Sequence, residues 1–236
     1  MANSQKRITL PGLNKQFEFL KRHLELNGKQ ILIIGEKLFP LALEMEKSNA
    51  FRIELISQSQ DDLTEGRLLL KGTNSVIKLM EYEATDYQSD SFDIVYAQAS
   101  LNIGGKNAII KEIKRILKSD GYLCTGEVVA LREEIPQFMT DIWKRSGIDP
   151  IFVEKFASYY EERGFEKVKV DDLSYTLKRY YSEMKDEFKE GVYNLTESQK
   201  KAYKKVISRY KHEIDAFNKL GGDKFAGFFA GIFKLK

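Results

Sequence analysis

The sequence predicts an α/β protein built on a doubly wound, mostly parallel β-sheet. Short runs of β-branched and aromatic residues alternate with longer amphipathic stretches over the first 173 residues, which is the pattern of repeated strand–helix units. In the first run, QILIIG at 30–35, residues 31–34 are all apolar. That is expected of a central parallel strand that helices cover on both faces.

The first half of the chain contains the clearest elements. A strand at 30–35 leads to a helix with Pro40 in its first turn, where the missing N–H has no partner to lose. After the second strand, Ser59 and Asp62 have the spacing of a capping box ahead of another helix. Further strands are expected at 51–57, 75–83 and 91–99. An amphipathic helix that ends near Gly28 is predicted from the apolar stripe of Leu13, Phe17, Leu20 and Leu24.

The second half adds a helix-rich region ahead of a final strand. Five isoleucine and leucine residues share one face of a helix at 106–118, and the SDG triplet that follows ends it. Residues 174–219 have a helical pattern throughout, and 221–236 alternates like a closing strand. The remaining elements are strands at 122–129 and 165–173 and helices around 133–146 and 151–163.

Composition and charge exclude several classes of protein. Hydrophobic residues make up 42% of the chain and charged residues 31%, a globular balance, and a net charge of +3 predicts no polyanionic partner. The single cysteine cannot form an intramolecular disulfide, and with two isolated histidines it makes no recognisable zinc site. The start MANSQKRITL lacks an apolar signal region, and FAGFFAGIF is too short to span a bilayer. We therefore expect a cytoplasmic protein with no metal and no membrane partner.

A family signature lies in residues 89–123. Ser91-Phe92-Asp93 opens the fourth strand, and Arg115 to Gly121 gives the pattern R-x-L-K-x-x-G before the fifth strand. With these motifs the chain resembles the class I S-adenosylmethionine-dependent methyltransferases of the small-molecule branch. The resemblance covers residues 28–173 and the closing strand at 224–235. It implies a Rossmann-like, doubly wound, seven-stranded sheet with an antiparallel last strand, and S-adenosylmethionine as the cofactor.

The resemblance also predicts how the chain is divided. Residues 1–173 and 223–236 would form the methyltransferase-like domain. Residues 174–222 would be a helical insertion before the last strand, and this segment carries no motif of the family. We expect the insertion to pack over the carboxyl edge of the sheet, either as a lid that shapes acceptor specificity or as a surface for a partner.

Two of the family's three cofactor motifs are altered in this chain. After the first strand the family has acid-x-G-x-G-x-G, and here Gly35 is kept while Lys37 and Phe39 stand at later glycine positions. Glu36 and Lys37 either face a bound cofactor or belong to a solvated turn. The family ends its second strand with a carboxylate that binds both ribose hydroxyls, and the matching residue here is Ser57. Loss of that charged bond predicts binding that is about ten- to a hundredfold weaker, in the high micromolar range.

The third motif completes the predicted cofactor site. MEYE at 80–83 stands where the family has G-D-A, which implies that Glu81 accepts from the adenine amino group and that the backbone of Tyr82 lies beside the ring. Ala97 in the fourth strand is the last residue of the predicted cofactor set. The resemblance thus implies a cofactor that spans the ends of the first four strands.

Three residues are predicted to contact the acceptor. Asn102 follows the fourth strand, from which the family reaches the transferred methyl group. Glu127, near the carboxyl end of the fifth strand, is either a general base or an exposed or N-capping carboxylate. Tyr180 belongs to a group of tyrosines that either forms an aromatic wall over the acceptor or packs between helices. The four tyrosines are Tyr159, Tyr160, Tyr180 and Tyr181.

Two functions follow from the sequence. The first is a methyltransferase that acts on a small organic acceptor. The alternative is a degenerate protein of the same fold, without catalysis, that serves as a binding or scaffolding module. The basic stretch 200–211 is balanced by acidic flanks and is interpreted as a solvated helix face, so no nucleic-acid partner is expected. A nicotinamide-dependent reductase would need G-x-G-x-x-G after the first strand, which is missing here.

Overall fold

A computed structural model describes residues 10–236. The prediction that the start MANSQKRITL lacks a signal region concerns residues that lie mostly outside this range. The strands are β1 Gln30–Ile34, β2 Arg52–Ser57, β3 Ser75–Leu79, β4 Phe92–Gln98, β5 Leu117–Ala130, β6 Ile151–Phe152, β7 Phe165–Asp172 and β8 Ala226–Leu235. The helices are α1 Lys15–His23, α2 Phe39–Glu46, α3 Gln60–Leu69, α4 Lys106–Ile116, α5 Gln137–Arg145, α6 Phe156–Glu161, α7 Tyr175–Tyr193, α8 Glu197–Ala202 and α9 Lys204–Lys219.

The sheet has the mixed topology that the sequence predicts. Its strands run in the order β3-β2-β1-β4-β5-β8-β7, and β6 pairs with β5 outside this path. Strands β1 to β5 pair in parallel, whereas β8 is antiparallel to both β5 and β7. The antiparallel strand is therefore confirmed, at 226–235 instead of 224–235.

The structure corrects three predicted boundaries. The sheet gains an eighth strand, because Ile151 and Phe152 pair with the end of β5 where we predicted the start of a helix. Strand β3 ends at Leu79, and Glu81 forms an isolated antiparallel bridge across a tight turn. Helix α5 begins at Gln137 instead of 133, because Pro136 keeps the residue before it out of the helical conformation.

Helices cover both faces of the sheet and bury two apolar cores. On β1, Ile31 and Ile33 point into one core and Leu32 and Ile34 into the other, as the alternation of a strand requires. The first core is completed by residues from α1, α2, α3, α5, α7 and α9. The second is completed by residues from α4 and α6. Strand β1 is thus covered on both sides, as its composition predicts.

The segment between β7 and β8 is helical, as predicted, and both of its ends lie at the carboxyl edge of the sheet. The backbone of Leu173 donates to the carbonyl of Phe228, and Ser174 Oγ accepts from the N–H of Phe228 at 3.1 Å. Leu177 and Phe217 anchor α7 and α9 in the first core. The division into a domain and an insertion, with a lid role, stays a prediction.

Three features of residues 10–236 bear on chemistry and location. No helix in this part of the chain is long and apolar enough to cross a membrane. Likewise, no group of three or more His, Cys, Asp or Glu side chains is placed there to hold a metal ion. Cys124 is fully buried, and this burial raises the pKa of its thiol to about 12, so the thiol is a poor nucleophile.

Candidate functional site

The candidate site lies where the strand order of the sheet reverses. Strand β1 pairs with β2 on one side and β4 on the other, and the chain crosses from one face of the sheet to the other between these two neighbours. Ligands of doubly wound sheets bind beyond the carboxyl ends of the strands at this point. The turn after β1, the end of β2 and the segments after β3 and β4 therefore form the site.

The turn after β1 keeps a backbone suited to glycine in spite of its substitutions. Gly35 has φ 138° and Lys37 has φ 57°, a left-handed conformation that non-glycine residues seldom adopt. The N–H of Lys37 donates to Asp62 Oδ1 at 2.8 Å, which holds the turn in this form. The side chains of Glu36 and Lys37 are exposed, whereas Phe39 is buried in the first core. Phe39, at a glycine position of the family pattern, therefore packs inside the protein and leaves the turn to Glu36 and Lys37.

The end of β2 is closed where the family has its ribose carboxylate. Ser57 is fully buried, its Oγ accepts from the N–H of Ser59 at 3.1 Å, and its carbonyl accepts from the N–H of Met80. Ser59 also caps α3 as predicted, because its Oγ accepts from the N–H of Asp62. Ser57 thus stands at the predicted place without being open to a ligand, and its contact with a ribose stays a prediction.

Residues after β3 bridge to β2 across the predicted adenine side. Gln58 Nε2 donates to Glu81 Oε2 at 2.7 Å, and Glu81 is exposed. Tyr82 is buried in the same core as Ile34 and Ile56, near the carboxyl ends of β1 and β2. Burial and then the nearby Glu36 carboxylate raise the pKa of the Tyr82 phenol above its ordinary value. The phenol is therefore neutral, and its ring forms an apolar wall beside the site.

Glu112 of α4 holds the segment that carries Glu81 and Tyr82. Its Oε1 accepts from the N–H and the hydroxyl of Thr85, at 2.9 and 2.5 Å, and its Oε2 accepts from Arg115 Nε at 2.8 Å. These bonds, above all those from Arg115, lower the pKa of Glu112 from an ordinary 4.5 to about 2. The charged form of Glu112 therefore stabilises the fold.

Replacing Glu112 by glutamine is expected to flatten the acid dependence of stability. Because the pKa is lower in the folded than in the unfolded protein, the stabilisation is complete above pH 4.5 and disappears as the pH falls to about 2. We expect Glu112→Gln to lower the free energy of unfolding by about 1–2 kcal/mol at neutral pH and by much less at pH 2. The loss at neutral pH is modest because Arg115 is partly solvated. Urea unfolding across this range measures the difference, with the exposed Glu83→Gln as control. Parallel pH curves for wild type and Glu112→Gln would contradict the assignment.

The segment after β4 is clamped to β5 by Asn102. The Oδ1 of Asn102 accepts from the N–H of Val128 at 2.8 Å, and its Nδ2 donates to the carbonyl of the same residue at 3.0 Å. Only 3% of Asn102 is exposed. Ala97 is fully buried, and its carbonyl accepts from Gln16 Nε2 at 2.9 Å. Both residues shape the floor of the site, and their predicted ligand contacts stay predictions.

Glu127 belongs to a buried charged cluster that the sequence does not predict. Its carboxylate is fully buried on β5 and accepts hydrogen bonds from Lys106 Nζ, from the Tyr160 hydroxyl and, at 3.2 Å, from Asn102 Nδ2. Of the two alternatives for Glu127, the exposed or N-capping carboxylate is therefore wrong, and the general base in contact with an acceptor stays a prediction. Burial lowers the pKa of Lys106, and Glu127 partly offsets this effect. A lysine at the start of α4 is the missed signal, since the positive end of the helix dipole disfavours a cation there.

The four tyrosines do not form one surface. Tyr159 and Tyr160 belong to the second core, whereas Tyr180 and Tyr181 pack against the first core on the other face of the sheet. The Tyr181 ring stacks on Phe217 at 4.2 Å between centroids, and the Tyr180 ring meets Tyr181 edge-on at 4.9 Å. The alternative in which all four tyrosines form one aromatic wall is therefore wrong. Tyr180 packs between helices, and its contact with an acceptor stays a prediction.

Comparisons with known proteins give a domain match and several similar structures. Residues 39–125 match the family model described as a methyltransferase domain, and no curated protein matches the chain. Phosphoethanolamine N-methyltransferase 2 from Haemonchus contortus, solved with S-adenosyl-L-methionine, has a TM-score of 0.75 and 13% identity over 96% of this chain and 53% of that one. The cyclase SpnF has a TM-score of 0.75 and 18% identity over 94% of this chain and 80% of that one.

A third structure has a bound product of the cofactor. Geranyl diphosphate C-methyltransferase from Streptomyces coelicolor A3(2), in complex with Mg²⁺, geranyl diphosphate and S-adenosyl-L-homocysteine, has a TM-score of 0.70 and 12% identity over 94% of this chain and 77% of that one. At these identities the likeness establishes the fold, and the domain match adds the sequence pattern. The chain therefore has the fold of the class I S-adenosylmethionine-dependent methyltransferases, and its residues 39–125 carry the sequence pattern of a methyltransferase domain.

Proposed function

We propose that the protein is an S-adenosylmethionine-dependent methyltransferase that acts on a small organic acceptor. The observation that carries the proposal is the turn after β1, where Gly35 and Lys37 both have positive φ at the reversal point of the sheet. Left-handed backbone at a residue other than glycine costs energy and is concentrated at ligand-binding turns. S-adenosylmethionine is the cofactor that the domain match and the ligand-bound structures support.

The residues around this turn fit a nucleoside cofactor. The exposed turn leads into α2, whose positive dipole end faces the same edge of the sheet. Glu81 offers an exposed carboxylate on the predicted adenine side, next to the apolar ring of Tyr82. Asp62 offers a buried carboxylate oxygen that no donor within residues 10–236 satisfies. Polar and apolar groups are thus arranged as a nucleoside requires.

Methyl transfer demands alignment more than acid–base chemistry. The bound cofactor supplies a methyl group that is already activated on a sulfonium. The protein must hold the acceptor in line and exclude water, which can lower the barrier by about 7–11 kcal/mol without a proton transfer. In this reaction Asn102 keeps the segment after β4 in place through its two bonds to Val128. Glu127 acts in the same way from inside the protein, because its carboxylate accepts from Asn102 Nδ2 at 3.2 Å.

The helical insertion is well placed to bind the acceptor. Its two ends join the sheet at the carboxyl edge. A cavity of about 290 Å³ lies between the starts of α1 and α7. Its walls include Asn14, Tyr175, Arg179 and Glu183. A small polar molecule in this cavity can therefore contact a positive charge, a negative charge and an aromatic ring. We therefore include the start of α7 in the proposed acceptor site.

A second candidate is a binding module without catalysis. Ser57 at the end of β2 favours it, because its hydroxyl is buried and already accepts a hydrogen bond from the N–H of Ser59. SpnF, named as a cyclase, has the same fold, so the fold alone does not fix the reaction.

Ligand-induced stabilisation and product formation separate the two functions. We expect S-adenosylmethionine and S-adenosylhomocysteine to raise the melting temperature, with about 2.7 kcal/mol gained at a ligand concentration a hundredfold above Kd. NAD⁺, which carries the same adenosine, is the control and should have a much smaller effect. Release of S-adenosylhomocysteine with pooled small acceptors would support the enzyme. Binding without turnover would favour the binding module, and the absence of any shift would contradict both uses of the cofactor.

A further inference from the structure

We infer that Asp62, in the first turn of α3, provides the carboxylate that accepts hydrogen bonds from the ribose hydroxyls of the cofactor, in place of Ser57. This inference rests on the proposed function and assigns one part of its site. Sequence reasoning gives Asp62 only a place in a helix cap. The structure brings its side chain to the turn after β1.

The position of Asp62 is fixed from two sides. Its backbone N–H donates to Ser59 Oγ at 3.2 Å at the end of β2, and its Oδ1 accepts from the N–H of Lys37 at 2.8 Å. A side chain in the first turn of a helix leans toward the helix N-terminus, which accounts for this direction. Asp62 therefore lies between the ends of β1 and β2, where a ribose would lie.

The second oxygen of Asp62 is buried and unpaired. Asp62 is only 6% exposed, and Oδ2 has no hydrogen-bond partner within residues 10–236. Such an oxygen is unfavourable inside a protein, and more so when it is charged, so it calls for a donor. Two neighbouring ribose hydroxyls provide donors of the right kind, and a bond to a carboxylate is about twice as strong as a neutral one.

The neighbouring groups are less suited to this role. The Oγ of Ser57 already accepts from the N–H of Ser59 inside the protein, and a hydroxyl lacks the charge of a carboxylate. Glu36 and Asp61 are exposed, so their carboxylates are hydrated and free to change rotamer. Asp62 is held in place by the bond to Lys37, and the same carboxylate therefore fixes the turn and presents an acceptor beside it.

Isothermal titration with S-adenosylhomocysteine tests the assignment on the full chain. In Asp62→Asn the amide oxygen can still accept from Lys37, but an NH₂ group replaces the free acceptor. We expect affinity to fall about ten- to a hundredfold. Asp61→Asn removes the same charge one residue earlier, at an exposed position, and should leave affinity unchanged. Melting temperatures without ligand verify that both variants fold.

A second probe tests the same contact without any mutation. The 2′,3′-dideoxy analogue of S-adenosylhomocysteine lacks both hydroxyl donors, so wild type should bind it about ten- to a hundredfold more weakly than the parent ligand. Asp62→Asn should show little further loss with the analogue, because the contact is already gone.

The outcomes distinguish the assignment from the proposed function. If wild type binds the analogue as tightly as S-adenosylhomocysteine, or Asp62→Asn binds S-adenosylhomocysteine like wild type, the assignment to Asp62 fails and the proposed function stands. If Ser57→Asp tightens binding about tenfold, the ribose lies at Ser57 and the assignment is again overturned. If wild type does not bind S-adenosylhomocysteine at all, the proposed function itself fails.

Discussion

Replacing Lys106 by methionine is expected to lower the free energy of unfolding by about 3–5 kcal/mol, because it leaves the Glu127 carboxylate buried without its cation. Glu127 is fully buried, and the Lys106 side chain is only 10% exposed. Methionine keeps much of the apolar stem, so the loss reports the charge more than the packing. Urea unfolding followed by circular dichroism measures the change.

A double variant separates the pair from its surroundings. Lys106→Met with Glu127→Gln removes both charges and keeps an oxygen that accepts from the Tyr160 hydroxyl. We expect the double variant to be more stable than Lys106→Met alone, since breaking a buried pair costs more than replacing it. Lys111→Met, at an exposed position of α4, is the matched control and should change stability by less than about 0.5 kcal/mol. Equal losses for Lys106→Met and Lys111→Met would contradict the role of the cluster.

The elements with a strong local pattern could be predicted from the sequence. Helix α4 was expected at 106–118 and runs from Lys106 to Ile116, because its isoleucines repeat at the helical period. Strand β1 is predicted as a buried central strand, because residues 31–34 are apolar on both faces. The antiparallel direction of β8 is predicted only from the resemblance to a family, because local patterns do not indicate the direction of a strand.

The contacts inside the site could not be predicted in the same way. Asp62 meets the N–H of Lys37 across 25 positions of the chain, and Glu127 meets Lys106 across 21. Such pairs depend on how α3 and α4 approach the sheet, and periodicity does not determine that approach. Besides Lys106 at the start of α4, the sequence offers a second signal, because Glu127 interrupts the apolar end of a strand in the middle of the sheet. A carboxylate in that position needs a buried partner.

The turn after β1 provides the last test, because Gly35→Ala is expected to cost about 2–5 kcal/mol of unfolding free energy. Gly35 has φ 138°, which L-residues rarely adopt, and an added Cβ would lie 2.9 Å from Leu38 Cδ1 and 3.0 Å from Ser100 Cβ. Backbone strain and crowding therefore act together. Chemical denaturation of Gly35→Ala and wild type under the same conditions gives the difference.

Two other glycines separate the causes. Gly28 has φ 70° with no atom within 4 Å of an added Cβ, so Gly28→Ala measures backbone strain alone. Gly104→Ala meets open space without a positive φ and should be nearly neutral. Ser100 Oγ donates to the carbonyl of Ile34 at 2.7 Å, so the segment after β4 packs directly on Gly35. We therefore expect Gly35→Ala to lose more stability than Gly28→Ala. Equal losses would show that Ser100 and Leu38 move aside and that Gly35 is required only for its conformation.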